Sequence, residues 1–171
     1  MPLRASRPGL SKSLSPRFEN LLPSLKKSNS SIYMSLHNEI GKIGEDLARK
    51  YLQEQGYKIL EQNYKTKYAE IDLVAEKSAG FFKQGTLVFV EVRTKVGEQF
   101  GTPEDTINKA KLWKVLQNAK SYTAFSKWDG PCQIDAICIV LGPRDKHGVP
   151  DDSRSGDFSV LRLSHHENIV S

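Results

Sequence analysis

Apolar positions in this chain fall into two helical stretches and five extended ones. Ile40, Ile43, Leu47, Ala48, Tyr51 and Leu52 recur at helical spacing and Gly56 follows, which predicts a helix over 38–55 closed by a glycine. Tyr57 to Tyr64 reads as a strand. Two alternating segments follow, Glu70–Glu76 and Thr86–Arg93, separated by a stretch that holds Gly80 and Gly85. Gly97 to Pro103 is a loop. Ile107, Ala110, Val115, Leu116, Ala119 and Tyr122 then mark a second amphipathic helix, with Thr102 or Asn108 as its cap. Cys132 to Leu141 is apolar on both faces, as a central strand would be. A polar loop spans Arg144 to Gly156, and Phe158 to Leu163 alternates as a final edge strand. The order α-β-β-β-α-β-β, without internal repeats, predicts an α/β fold with a mixed sheet and a helix on either side.

The paired middle strands carry the chemistry. Side chains alternate along a strand, so Ile71, Leu73 and Ala75 should share one face with Val88, Val90 and Val92. Glu70, Asp72, Glu91 and Arg93 then belong to the other. A hairpin symmetric about Phe81 and Phe82 sets Asp72 opposite Glu91, Val74 opposite Phe89 and Glu70 opposite Arg93. Directly opposed β-carbons lie roughly 4.5–5.5 Å apart. Two carboxylates at about 5 Å repel by roughly 3 kcal/mol at an effective dielectric of about 20. A cation belongs between them, and a divalent metal is the natural candidate. The competing reading is a solvated strand face with a Glu70–Arg93 ion pair. Val74, Leu87 and Phe89 on the acidic side argue for a partly covered cleft instead.

Composition adds limits. The 171 residues are 38% hydrophobic and 26% charged, in the range of one globular domain. The net charge of +5 resides in residues 1–36, which hold six basic side chains against Glu19 alone. The remainder is neutral, so the basic balance says nothing about a nucleic-acid surface. Residues 1–36 also hold nine serines and prolines at 2, 8, 16 and 23, the composition of a disordered tail before a domain over 37–171. They lack the apolar centre of a secretory signal. Their Arg- and Ser-rich character is compatible with an organellar transit peptide, and Met34 is an alternative start. No apolar run reaches a membrane span. Cys132 and Cys138 lie on one strand, too far apart to bond each other, and read as buried free thiols of a reducing, cytoplasmic compartment.

With the elements placed, a family resemblance emerges. Gly41-Lys42-Ile43-Gly44-Glu45, Tyr51-Leu52, Gly56-Tyr57, Asn63, Glu70-Ile71-Asp72-Leu73-Val74, Phe89-Val90-Glu91-Val92-Arg93, Phe100-Gly101 and Lys111 resemble the bacterial YraN family over about residues 38–141. That family is similar to archaeal Holliday-junction resolvases and to the PD-(D/E)XK nucleases. The resemblance implies a restriction-endonuclease-like fold and Mg²⁺- or Mn²⁺-dependent hydrolysis of phosphodiesters in branched or structured DNA. A non-catalytic nucleic-acid-binding protein of the same shape is the alternative. Carried over residue by residue, it places the metal on Asp72 and Glu91, with Glu45 as an additional acid and the Val92 carbonyl as a further ligand. Homodimer assembly is an expectation to be tested.

Two positions depart from the superfamily pattern. Arg93 stands where a lysine is usual, and a guanidinium cannot take a proton from water, although it can neutralise phosphate charge. Lys95 on the same strand face, or Lys111 from the second helix, is then expected to supply the ammonium. Those two lysines and Lys114 are the expected nucleic-acid contacts, with Glu70 and Asp135 in support. Gln133 stands where the family tends to have Arg, which removes a phosphate contact or an ion-pair partner of Asp135. Asp135 is read as a buried structural acid rather than a third ligand. His147, His165 and His166 are expected to be solvated and away from the acids, and His37 is given no role. Trp113 and Trp128 are read as packing residues. The spacing of Lys109, Lys111, Lys114 and Lys120 spreads them over several helix faces.

Overall fold

The computed structural model describes residues 30–67, 69–80, 84–143 and 158–170. Helix α1 spans Ser30–Glu54, followed by β1 (Tyr57–Lys65), β2 (Glu70–Lys77), β3 (Thr86–Val96), helix α2 (Lys109–Ser126), β4 (Cys132–Pro143) and β5 (Phe158–His166). A short 3-10 turn, Glu104–Thr106, precedes α2. The order is the expected one. α1 begins earlier than its apolar period suggests, and Leu36 packs against the core, so residues 30–36 belong to the helix rather than to a tail. Residues 1–29, most of the expected tail, lie outside the described residues, as does His147.

The five strands form one mixed sheet in the order β1-β2-β3-β4-β5. β3 and β4 run parallel, joined through α2, and the other neighbours are antiparallel. A parallel pair needs such a crossover, because no short turn reverses the chain twice. Buried side chains on each face of the sheet form a separate core. Ala48 and Leu52 of α1 pack on Leu73, Val88, Val90 and Ile137. Val115, Ala119 and Tyr122 of α2 pack on Val74, Leu87, Phe89 and Ile134. Edge-to-face contacts of Tyr122 with Tyr64 (5.0 Å) and Phe89 (5.7 Å) fix the rotation of α2.

Two glycines and one asparagine set the ends and heights of the helices. Gly56, at φ +83°, closes α1 in the left-handed region that side chains disfavour. Gly44 lets α1 settle on β3, since a Cβ there would collide with Thr94 Oγ1. Asn108, not Thr102, caps α2, its Oδ1 accepting from the Lys111 N–H at 2.9 Å.

The hairpin register matches the expected one where the strands pair, with Val74 opposite Phe89 and Leu73 opposite Val90. One face assignment differs. Ile71 packs into the α2-side core with Val74, while Leu73 and Ala75 face α1. The break lies opposite Asn63, which at φ 53° sits between the pairs Gln62–Leu73 and Tyr64–Ile71. A left-handed residue within a strand interrupts the alternation.

Candidate metal centre

The acidic centre lies where β2 and β3 part. Their ladder ends at Leu73–Val90, so Asp72 and Glu91 occupy the next register positions without a backbone pairing between them. Asp72 instead turns its carboxylate onto β3, and Oδ2 accepts from the Val92 N–H at 2.7 Å. Val92 thus holds the Asp72 carboxylate through its amide.

Glu91 is 1% exposed, and two cations reach the same carboxylate oxygen. Arg93 Nη2 lies 2.6 Å and Lys111 Nζ 3.0 Å from Oε1. The Arg93 contact follows from strand alternation, which puts residues 91 and 93 on one face. The Lys111 contact follows from the packing of α2, whose Val115 lies one turn further on in the α2-side core. Both oxygens of Glu91 are buried without a partner of hydrogen-bond geometry among the described residues. An anionic oxygen left so is costly.

The electrostatics agree. Burial, and then the neighbouring Asp72, push the Glu91 carboxyl up to about 7. Burial also raises Asp72, against the opposing pull of the Val92 amide, Lys111 and Arg93. Glu45 of α1 is raised by burial and by Asp72, while Asn63 donates a hydrogen bond that lowers it. Asp72 is therefore the electrostatic link between Glu91 and Glu45. Asn63 escaped the sequence reading as a site residue, although an asparagine inside a strand is itself a signal of special backbone.

The remaining expected residues sort as follows. Glu70 does not face Arg93; it pairs with Lys65 at 3.2 Å, because β1 sets Lys65 directly opposite it. Lys95 donates to the carbonyls of Phe100 (3.2 Å) and Gly101 (3.1 Å), holding the loop after β3. Lys111, not Lys95, therefore brings the ammonium to Glu91. Lys114 is exposed on α2. Asp135 is fully buried and faces α1, among structural partners. Gln133 Nε2 reaches both of its oxygens (3.0 and 3.1 Å), the Asn168 N–H donates to Oδ1 (2.8 Å), and His165 Nε2 lies 2.9 Å from Oδ2.

His165 is thus no solvated tail residue. β5 runs on to His166, and antiparallel pairing carries His165 back over β4 beside the rings of Tyr51 and Tyr57. His166 faces Glu104 at 3.4 Å. Cys132 is exposed and only Cys138 is buried. Trp113 is 57% exposed, so it does not pack as its place in the helical pattern suggested.

A second group offers metal-ligand chemistry on paper. Glu104, Cys138 and His166 place ligand atoms within 4.8 Å of one another. Arg162 already binds Glu104 through both oxygens and holds its carboxyl down to about 2, while burial pushes the Cys138 thiol up to about 12. A protonated thiol and an arginine-bound carboxylate make this an ion-pair network, not a metal site. At the Asp72–Glu91 centre the donors are oxygens alone, which suits hard cations such as Mg²⁺ or Mn²⁺.

Comparison with known proteins bears on the same stretch. A family model described as "Uncharacterised protein family UPF0102" matches residues 44–139, from the first helix through β4. A UPF0102 protein of Flavobacterium psychrophilum is 37% identical over 106 residues, covering 62% of this chain and 84% of that protein. One of Chlorobium chlorochromatii is 39% identical over 101 residues, 59% of this chain and 74% of the relative. One of Persephonella marina is 43% identical over 101 residues, 58% and 82%. The matched segment holds Glu45, Asp72, Glu91, Arg93 and Lys111 together, and the chain belongs to the UPF0102, or YraN, family.

Proposed function

We propose that this protein is a metal-dependent nuclease-like protein of the PD-(D/E)XK type that hydrolyses phosphodiester bonds in branched or structured DNA. The observation that carries the reading is the buried Glu91 carboxylate beside Asp72, both of its oxygens without a hydrogen-bond partner among the described residues. The succession α1-β1-β2-β3-α2-β4, with β3 and β4 parallel, supports the restriction-endonuclease-like architecture.

Asp72 and Glu91 would hold the cation, with Glu45 as the outer acid. Such a metal supplies Lewis-acid polarisation of the scissile phosphate and a bound water of lowered pKa. The chain's own groups do the rest. Arg93 offers a guanidinium fork for phosphate oxygens. Lys111 brings an ammonium from a helix rather than from the strand. The Val92 amide fixes the Asp72 carboxylate.

A second reading is favoured by one feature: Arg93 and Lys111 already neutralise Glu91. On it, the protein binds nucleic acid through the same shape without cutting. Cleavage of junction, flap, single-stranded and duplex DNA at low salt, with Mg²⁺ or Mn²⁺ and with Glu91→Gln as control, separates the two. Absence of metal-dependent cleavage on every substrate rejects the enzyme reading. No helix among the described residues is long and apolar enough to cross a membrane. A cytoplasmic location and a homodimer belong to the same proposal, the latter open to sedimentation analysis.

A further inference from the structure

Helix α2 has an unusual charge pattern. Its eighteen residues include Lys109, Lys111, Lys114 and Lys120 and not one acid. Lys111 is engaged at Glu91. Among the described residues no carboxylate pairs with Lys109, Lys114 or Lys120.

The lysines are less scattered than their spacing first suggests. At about 100° per residue, Lys109, Trp113 and Lys120 fall within about 40° of one another. That stripe points away from Val115, Asn118, Ala119 and Tyr122, the buried side of the helix. The Trp113 ring is 57% exposed and stands between two of these ammonium groups. An exposed indole offers a ring face that a partner can cover. Here the flanking charge states what the cover must be, since an apolar protein surface would have to bury unpaired lysines.

We propose that the outward stripe of α2 binds an unpaired nucleic-acid strand, with Trp113 stacking on one base and Lys109 and Lys120 on the flanking phosphates. The stripe runs about 16 Å along the axis, a length of a few nucleotides. Stacking on an exposed indole requires a base whose face is free, which a continuous duplex does not offer and a single strand, flap or opened junction does. Lys111 leaves the same helix about 160° around from Trp113, so the gripped strand lies across α2 from the carboxylate pair. The proposal rests on the nuclease-like reading for the class of ligand and names the unpaired strand as the element recognised.

The test is made on the full chain in EDTA, so binding is read without cleavage. Trp128 is replaced by Phe to leave Trp113 as the only indole. Trp128 packs on the α2-side core and donates to the Pro131 carbonyl. Oligothymidylate should quench Trp113 fluorescence, and duplex of equal length should do so far less. Trp113→Ala should weaken oligothymidylate binding about tenfold, the range expected for one stacked base, while Trp113→Phe retains most of it. Lys109→Gln and Lys120→Gln should each flatten the salt dependence. Phe125 is a still more exposed aromatic (83%) about 120° around the helix, and Phe125→Ala should leave binding unchanged.

Lack of quenching, an equal loss from Phe125→Ala, or displacement of the strand by polyglutamate would overturn the proposal. The last outcome would show that charge alone governs the surface. Strand binding without metal-dependent cleavage would leave this inference standing and reject the enzyme. Cleavage with no Trp113 response would do the reverse.

Discussion

Replacing Glu91 by glutamine tests the physical account of the acidic centre directly. The glutamate carboxyl is pushed from its ordinary 4.5 to about 7 by burial and by Asp72. The unfolded chain therefore loses this proton near pH 4.5 and the folded chain only near 7. Stability contributed by the group is lost as pH rises through that window and is constant outside it. At about 1.4 kcal/mol per pKa unit, holding Glu91 ionised costs at most about 3.5 kcal/mol at about pH 8. The neutral amide of Glu91→Gln would mimic the protonated acid at every pH. In metal-free buffer with EDTA, urea unfolding of both proteins from about pH 4 to about pH 8 should give similar stabilities at the acid end. The variant should gain about 2–3 kcal/mol on the wild type by about pH 8. A difference that stays flat with pH would refute the buried-acid account. A loss of several kcal/mol at the alkaline end would mean that Arg93 and Lys111 depend on this carboxylate for their own stability, making it a structural ion pair.

Three further outcomes follow from particular contacts. Asp72→Asn should remove stabilisation by Mn²⁺, read as loss of the metal-dependent rise in melting temperature, a rise worth about 2.7 kcal/mol at a roughly hundredfold excess over Kd in the wild type; an unchanged rise would place the metal elsewhere. Gly44→Ala drives a Cβ into Thr94 Oγ1 and should cost about 1–3 kcal/mol, lowering the melting temperature and displacing Glu45; a neutral result would mean that α1 does not rest on β3 as described. Asp135→Ala strands the Asn168 amide, Gln133 and His165 and should cost about 3 kcal/mol or more in urea unfolding, with no effect on Mn²⁺ affinity; lost metal affinity would make Asp135 part of the centre.

Much of this protein is written in local pattern. The register of β2 against β3 follows from strict alternation, because a one-residue slip would have turned Leu73 and Val90 out of the α1-side core. The span of α2 follows from its apolar period, and the place of Asp72 beside Glu91 follows from the register. Other features depended on how the elements meet. Asn63 adopts a left-handed backbone within β1 and, beside the position opposite it, Ile71 leaves the face its spacing assigns. Lys111 reaches Glu91 only because Val115, Ala119 and Tyr122 set the height and rotation of α2, and the same rotation leaves Trp113 in solvent. His165 looked like tail until antiparallel pairing carried it back to Asp135, thirty residues away along the chain. Periodicity reports which residues share a face of one element. Which faces meet, and which charges they bring within a few ångströms, is decided by packing between elements far apart in sequence, and that is where the Lys111 ammonium at this centre comes from.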